Sequence, residues 1–188
     1  MLQLNKIKLP DSIEVSGSFY PIKTDFRTWL TFGEILSDKN SKLIEILFVF
    51  EKRIPEDLPK AFEELMKFYN PPHELPRPSK MDSSDKILDY TLDADLIYSA
   101  FLEQYKIDLL ATDSKGKAKN NLHWHQFQAL LSGLHDTKLN KIMEYRSYNP
   151  NDKTTFEQQM KNLKKSWQLP QNRELSEATK EFNSLFKK

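Results

Sequence analysis

This sequence is expected to fold as a mainly α protein: a compact multi-helix domain with a short N-terminal β-hairpin or arm and a polar helical C-terminal extension. Three observations lead there. Apolar residues recur at steps of three and four in one segment after another, the repeat of a helix with one buried face. Strict apolar-polar alternation, the strand repeat, occurs around Ser16-Gly17 alone. Twelve Phe, seven Tyr and three Trp in 188 residues supply enough large side chains for a core without disulfides or metals.

Along the chain, "SIEVSGSFYPIKT" alternates on both sides of Ser16-Gly17 and reads as a hairpin. Thr24 or Asp25 can cap a helix whose Phe26, Trp29, Leu30 and Leu36 share a face. Ser41 opens "KLIEILFVF", whose continuous apolarity suits a strand or a short buried helix, the helical neighbours favouring the helix. Pro55 sits where a first helical turn tolerates it, and Leu58, Phe62, Leu65 and Tyr69 follow at helical spacing until "NPPHELPRP" stops the run.

Asp93 can cap the next helix, with Ile97, Phe101 and Tyr105 in one stripe and Leu96 and Ala100 widening it. "ATDSKGKAKNN", Ala111 to Asn121, is small, polar and basic, the composition of a mobile loop. "LHWHQFQALLSGL" follows with Phe127, Leu130, Leu131 and Leu134 on one face. Then "TKLNKIMEYRS" aligns Leu139, Ile142, Met143 and Arg146. Residues 1–150 are therefore expected to form the helical core domain and 151–188 a helical basic extension. In that extension Phe156, Met160, Leu163 and Trp167 make a narrow stripe flanked by Lys164 and Lys165, a candidate partner-binding surface. The last eighteen residues carry Leu175, Phe182 and Phe186, enough for another amphipathic turn or two.

Composition excludes several chemistries. With no cysteine there is no disulfide framework, thiolate zinc site or cysteine nucleophile. No stretch has the length and apolarity of a signal peptide or a membrane span, so an intracellular protein without membrane partners is expected. The net charge of +1 hides an asymmetry: residues 80–110 hold seven acids against three bases, whereas 153–188 hold eight bases against four acids. Solvated helix faces produce such blocks, and so do surfaces that pair with other chains.

The residues most suggestive of chemistry are His123 and His125. Zinc sites on helices take ligands at i and i+4, but residues two apart point about 200° away from each other on a helix. The expectation is no metal and no cofactor, with one histidine capping or packing, the other facing water, and Trp124 filling core. Asp93 and Asp95 could pair on magnesium, yet acids at a helix start are explained by the exposed backbone donors. Asp25 and Arg27 read as a cap and a surface arginine. No Gly-x-Ser-x-Gly elbow accompanies the scattered serines, so no catalytic residue is assigned and no enzyme is expected. Lys161, Lys164, Lys165 and Trp167 form too thin a basic-aromatic patch, with no helix-turn-helix or zinc-finger pattern, to indicate a nucleic-acid partner.

"YPIKTDFRTWL" (Tyr20 to Leu30), "DADLIYSAFLEQYKIDL" (Asp93 to Leu109), "LHWHQFQALLSGL" and "KIMEYRS" (Lys141 to Ser147), in that order and spacing, resemble a family of small proteins from long-tailed bacteriophages and prophages of Gram-positive hosts. The resemblance runs from about Ser12 to Pro170. Such genes lie between those for the major tail protein and the tape-measure protein, where tail-assembly chaperones are encoded. The resemblance implies an assembly factor that binds the tape-measure protein in the host cytoplasm, self-associates and has no active site; the alternative is a structural component of the tail or head-tail joint. This chain departs from the pattern at His125, where a second aromatic is frequent, and at Glu144, where Gly is usual. It also carries a basic loop before Leu122 and a basic tail after Pro170.

Overall fold

In the computed structural model, residues 8–70, 86–149 and 154–170 are described, together with Lys180 and Ser184. The proline-rich segment with His73 and the apolar residues Leu175, Phe182 and Phe186 lie outside the described residues. The fold is mainly α with one short hairpin, as expected. Two compact units divide the described chain, and neither is continuous in sequence: residues 8–70 with Asn121–Ala129, and residues 86–120 with 130–170.

In the first unit, β1 (Ser12–Val15) and β2 (Ser18–Pro21) pair antiparallel, Val15 opposite Ser18 and Ile13 opposite Tyr20. Ser16 and Gly17 both adopt positive φ (50° and 79°), the geometry of a two-residue hairpin turn that matches strand twist. Ile13 and Val15 on one face of β1 are buried, and a bridge from Ile22 to Phe50 continues the pairing beyond β2.

Helix α1 (Phe26–Ser37) starts at Asp25, whose carboxylate accepts from the Arg27 amide at 2.9 Å. Its buried residues are Phe26, Trp29 and Phe32, and the Trp29 indole donates to the Lys23 carbonyl at 2.8 Å. "LIEILFV" forms a tight 3-10 helix (Leu43–Val49) packed on α1, with Leu43, Ile46, Leu47 and Val49 buried. Helix α2 (Leu58–Tyr69) begins later than Pro55. Asp57 accepts from the Lys60 amide at 3.1 Å, and Pro59 takes the tolerated place in the first turn. Ala61, Phe62, Leu65 and Phe68 are its buried face. Gly33 of α1 is required by closeness: a Cβ there would collide with the Tyr69 hydroxyl.

In the second unit, helix α3 (Ala94–Tyr105) buries Ile97, Ala100 and Phe101 and ends at Lys106 in the left-handed conformation. The Ala111–Asn121 stretch has more internal structure than its composition indicates. Thr112 bridges Ala118, the Asp113 carboxylate accepts from the Lys115 and Lys117 amides, and Asn120 donates to the Asp108 carbonyl. Helix α4 (Trp124–Ser132) contributes residues through Ala129 to the first unit and the rest to the second. Thr137 and Asn140 cap α5 (Lys138–Ser147) reciprocally. Thr154 caps α6 (Thr155–Trp167), which packs on α5.

Candidate interaction surface

Of the expected extension, Thr155–Trp167 is helical, but its stripe is divided. Met160 is only 8% exposed where α6 packs on α5, and Leu163 is half-buried. Phe156 and Trp167, near the two ends of the helix, stay 59% and 36% exposed. The stripe therefore docks at its centre within its own unit and leaves Phe156 and part of Trp167 exposed toward its ends, with the Lys138 ammonium over the Trp167 ring at 5.8 Å. Lys164 is engaged, donating to the Tyr148 carbonyl at 3.2 Å. Tyr148 also donates its hydroxyl to Glu157 and meets Phe156 edge-on. Lys161 and Lys165 are exposed and form no ion pair among the described residues.

The far end of α6 is fixed by a buried charge pair. Arg146 of α5 is buried, and its guanidinium donates to both carboxylate oxygens of Asp93, at 2.7 and 2.9 Å. It also donates to the Ile87 carbonyl at 3.0 Å and, through Nε, to the Trp167 carbonyl at 2.7 Å. Asp93 does not cap α3 with its side chain; its remaining bond comes from the Asp89 amide at 2.9 Å. One planar fork thus holds the start of α3 and the end of α6. Arg146 engages both Asp93 carboxylate oxygens, and among the described residues no three ligating side chains gather.

The two histidines differ from their sequence reading. His123 precedes α4 in a bridge with Asp25, so helical geometry does not separate it from His125, and the rings meet edge-on at 5.0 Å. Neither is simply solvated. His123 Nε2 lies 2.8 Å from the Pro10 carbonyl, and its Nδ1 accepts from the His125 amide. His125 is buried against Phe68, with Nε2 2.9 Å from the Phe68 carbonyl and Nδ1 unpartnered. Both rings are therefore Nε2–H tautomers. Burial pushes the His123 pKa down and that of His125 down to about 4. Trp124 fills core as expected: it stacks on Tyr69 with centroids 5.2 Å apart, and its indole donates to the Tyr69 carbonyl.

Beside His123 a polar surface cleft of about 450 Å³ is lined by Lys23, Asp25, Glu51 and Gln126 among others. Two of its charged groups are already occupied. Lys23 donates to the Phe48 carbonyl, while Asp25 caps α1 and holds the Arg27 guanidinium at 3.0 Å.

A protein-family model described as "Bacteriophage Gp15 protein" matches residues 6–169. The chain belongs to that family. The match spans every element from β1 to α6 of this Gp15-family protein, including the Asp93–Arg146 pair and both exposed aromatic residues of α6. No curated protein and no solved structure matches it. Among the described residues of this Gp15-family chain, no helix is long and apolar enough to cross a membrane.

Proposed function

We propose that the protein is a tail assembly chaperone that binds the phage tape-measure protein during tail morphogenesis in the host cytoplasm, working by contact rather than catalysis. Membership of the Bacteriophage Gp15 family over residues 6–169 is the observation that carries the reading. Two features of the molecule support it. Phe156 and, in part, Trp167 keep apolar surface exposed at the ends of a helix held to α5, area that suits contact with another helix. The polar groups that resemble an active site are engaged in holding α1, α2 and α4.

Co-expression with the tape-measure protein of the same phage tests the proposal. The full chain should keep that protein soluble and co-purify with it, whereas Phe156→Asp with Trp167→Asp should lower recovery at least tenfold while the variant stays folded. Unchanged recovery would remove α6 from the binding surface, and no co-purification by the parent chain would remove the chaperone role. Mass spectrometry of purified virions should find the chain missing; stoichiometric amounts there would make it a structural component instead. Truncation after Pro150 is a poorer test, because it also removes the buried side chains of Met160 and Leu169.

A further inference from the structure

The Ala111–Asn121 stretch is a built finger. The Gly116 amide donates to the Asp113 carbonyl at 3.0 Å, closing a tight turn, and Gly116 takes positive φ (73°). The Asp113 amide donates to the Lys117 carbonyl and the Lys119 amide to the Ala111 carbonyl, both at 2.8 Å, so two arms run antiparallel through the Thr112–Ala118 bridge. This is a hairpin with a three-residue loop closed by a glycine bulge. The Asp113 carboxylate is turned back onto the loop, accepting from the Lys115 and Lys117 amides at 2.8 and 2.9 Å. Asn120 ties the foot of the finger to the Asp108 carbonyl at 2.7 Å.

The finger is basic, and its charge is unanswered. Between Ala111 and Asn121 stand Lys115, Lys117 and Lys119 against the single acid Asp113. All three lysines are exposed, and none forms an ion pair among the described residues. On α2, by contrast, Lys60 and Lys67 each pair with both Glu63 and Glu64. Alternation along the return arm puts Lys117 and Lys119 on one face, about 7 Å apart, and the half-buried Ala118 on the other. Carboxylates four residues apart on a helix are separated by about 6 Å, so an acidic helical face can meet both ammonium groups at once. No arginine or aromatic side chain stands on the finger, which therefore lacks the guanidinium fork and the stacking platform that favour nucleic acid.

We infer that the Ala111–Asn121 finger is a docking element that receives an acidic helix of a partner protein, one carrying carboxylates a turn apart. It is separate from α6 and from whatever α6 holds. Lysines carried on a hairpin already closed by Asp113 and Gly116 present their charge without first ordering a loop, which lowers the cost of binding. Exposed charges of this kind mainly guide the encounter and select the partner, so the contact is salt-sensitive.

Fluorescence anisotropy with the full chain tests the inference, using a labelled alanine-based helical peptide with glutamates four residues apart. At low salt the parent chain should bind it about tenfold more tightly than a peptide of the same composition whose glutamates are spread around the helix. Lys117→Glu with Lys119→Glu should weaken binding about tenfold. Lys52→Glu with Lys141→Glu, an equal change of net charge at exposed positions elsewhere, should leave it within about twofold. Asp113→Ala makes the chain more positive but removes the acceptor that fixes the turn, and should weaken binding as well. Equal binding of the two peptides, equal loss from the two lysine pairs, or binding by Asp113→Ala at or above the parent level would overturn the finger as a built site. Tighter binding of a single-stranded DNA of the same length than of the acidic peptide would overturn the choice of a protein partner.

Discussion

Replacing Arg146 by Ala should be among the most damaging single changes in the chain. Asp93 is 2% exposed and Arg146 5%, so truncating the arginine leaves a buried carboxylate with the Asp89 amide as its sole remaining donor among the described residues. The carbonyls of Ile87 and Trp167 lose a charged donor at the same time. Breaking one side of a buried pair costs about 3 to 5 kcal/mol. With a urea slope of about 2 kcal/mol/M, that moves the denaturation midpoint down by about 1.5 to 2.5 M. Asp93→Ala should cost a similar amount, and the two changes together much less than their sum, since the second removes a group already stranded. Replacing both residues by apolar ones of similar volume should recover most of the loss. Urea titrations followed by far-UV circular dichroism on the four forms decide it. Additive effects, or a midpoint within about 0.3 M of the parent for Arg146→Ala, would show that the pair does not hold the second unit together.

Three further outcomes follow from the same contacts. Phe127→Ala, which removes a ring stacked 4.7 Å from Phe26, should cost about 3 to 5 kcal/mol, and Leu131→Ala, at a half-buried position, clearly less; equal midpoints in urea would contradict the packing. Gly33→Ala should destabilise by about 1 to 3 kcal/mol through its collision with the Tyr69 hydroxyl, and Tyr69→Phe should relieve part of that loss; a thermal midpoint unchanged by Gly33→Ala would show that α1 yields freely there. His125 is neutral when folded, with its pKa near 4, but takes up a proton near 6.5 when unfolded, so the stability present at neutral pH should fall as pH drops from about 6.5 to 4. Urea midpoints across that range should slope less in His125→Phe, and an identical slope would place the proton uptake elsewhere.

Where local signals decided the structure, the sequence was readable. The hairpin follows from alternation around a Ser-Gly turn, α1 from an aspartate one residue before its buried face, and the core role of Trp124 and Phe127 from helical spacing. Asp93 and Arg146 were not legible as a pair, because fifty-three positions separate them and each has a sufficient local explanation, one as a helix cap and the other as the last member of a stripe. The histidines misled for the opposite reason. Two residues so close in sequence were placed on one helix, but the bridge of His123 to Asp25 lies outside any local pattern, and it ends helical geometry one residue before Trp124. For α6, periodicity identified the face but not what covers it; the burial of Met160 depends on α5, which spacing within one segment cannot reveal.

The interleaving of the two units limits how this chain can be divided. A fragment ending at Asn70 contains the hairpin, α1 and α2 yet lacks Trp124, whose indole satisfies the Tyr69 carbonyl, and Phe127, whose ring covers Phe26. A fragment starting at Lys86 carries those two side chains without the surface they cover. No single cut between residues 70 and 121 therefore releases an intact unit, and neither unit can be transplanted as a cassette. On the ribosome the first unit must wait for some fifty residues of the second before its own core can close.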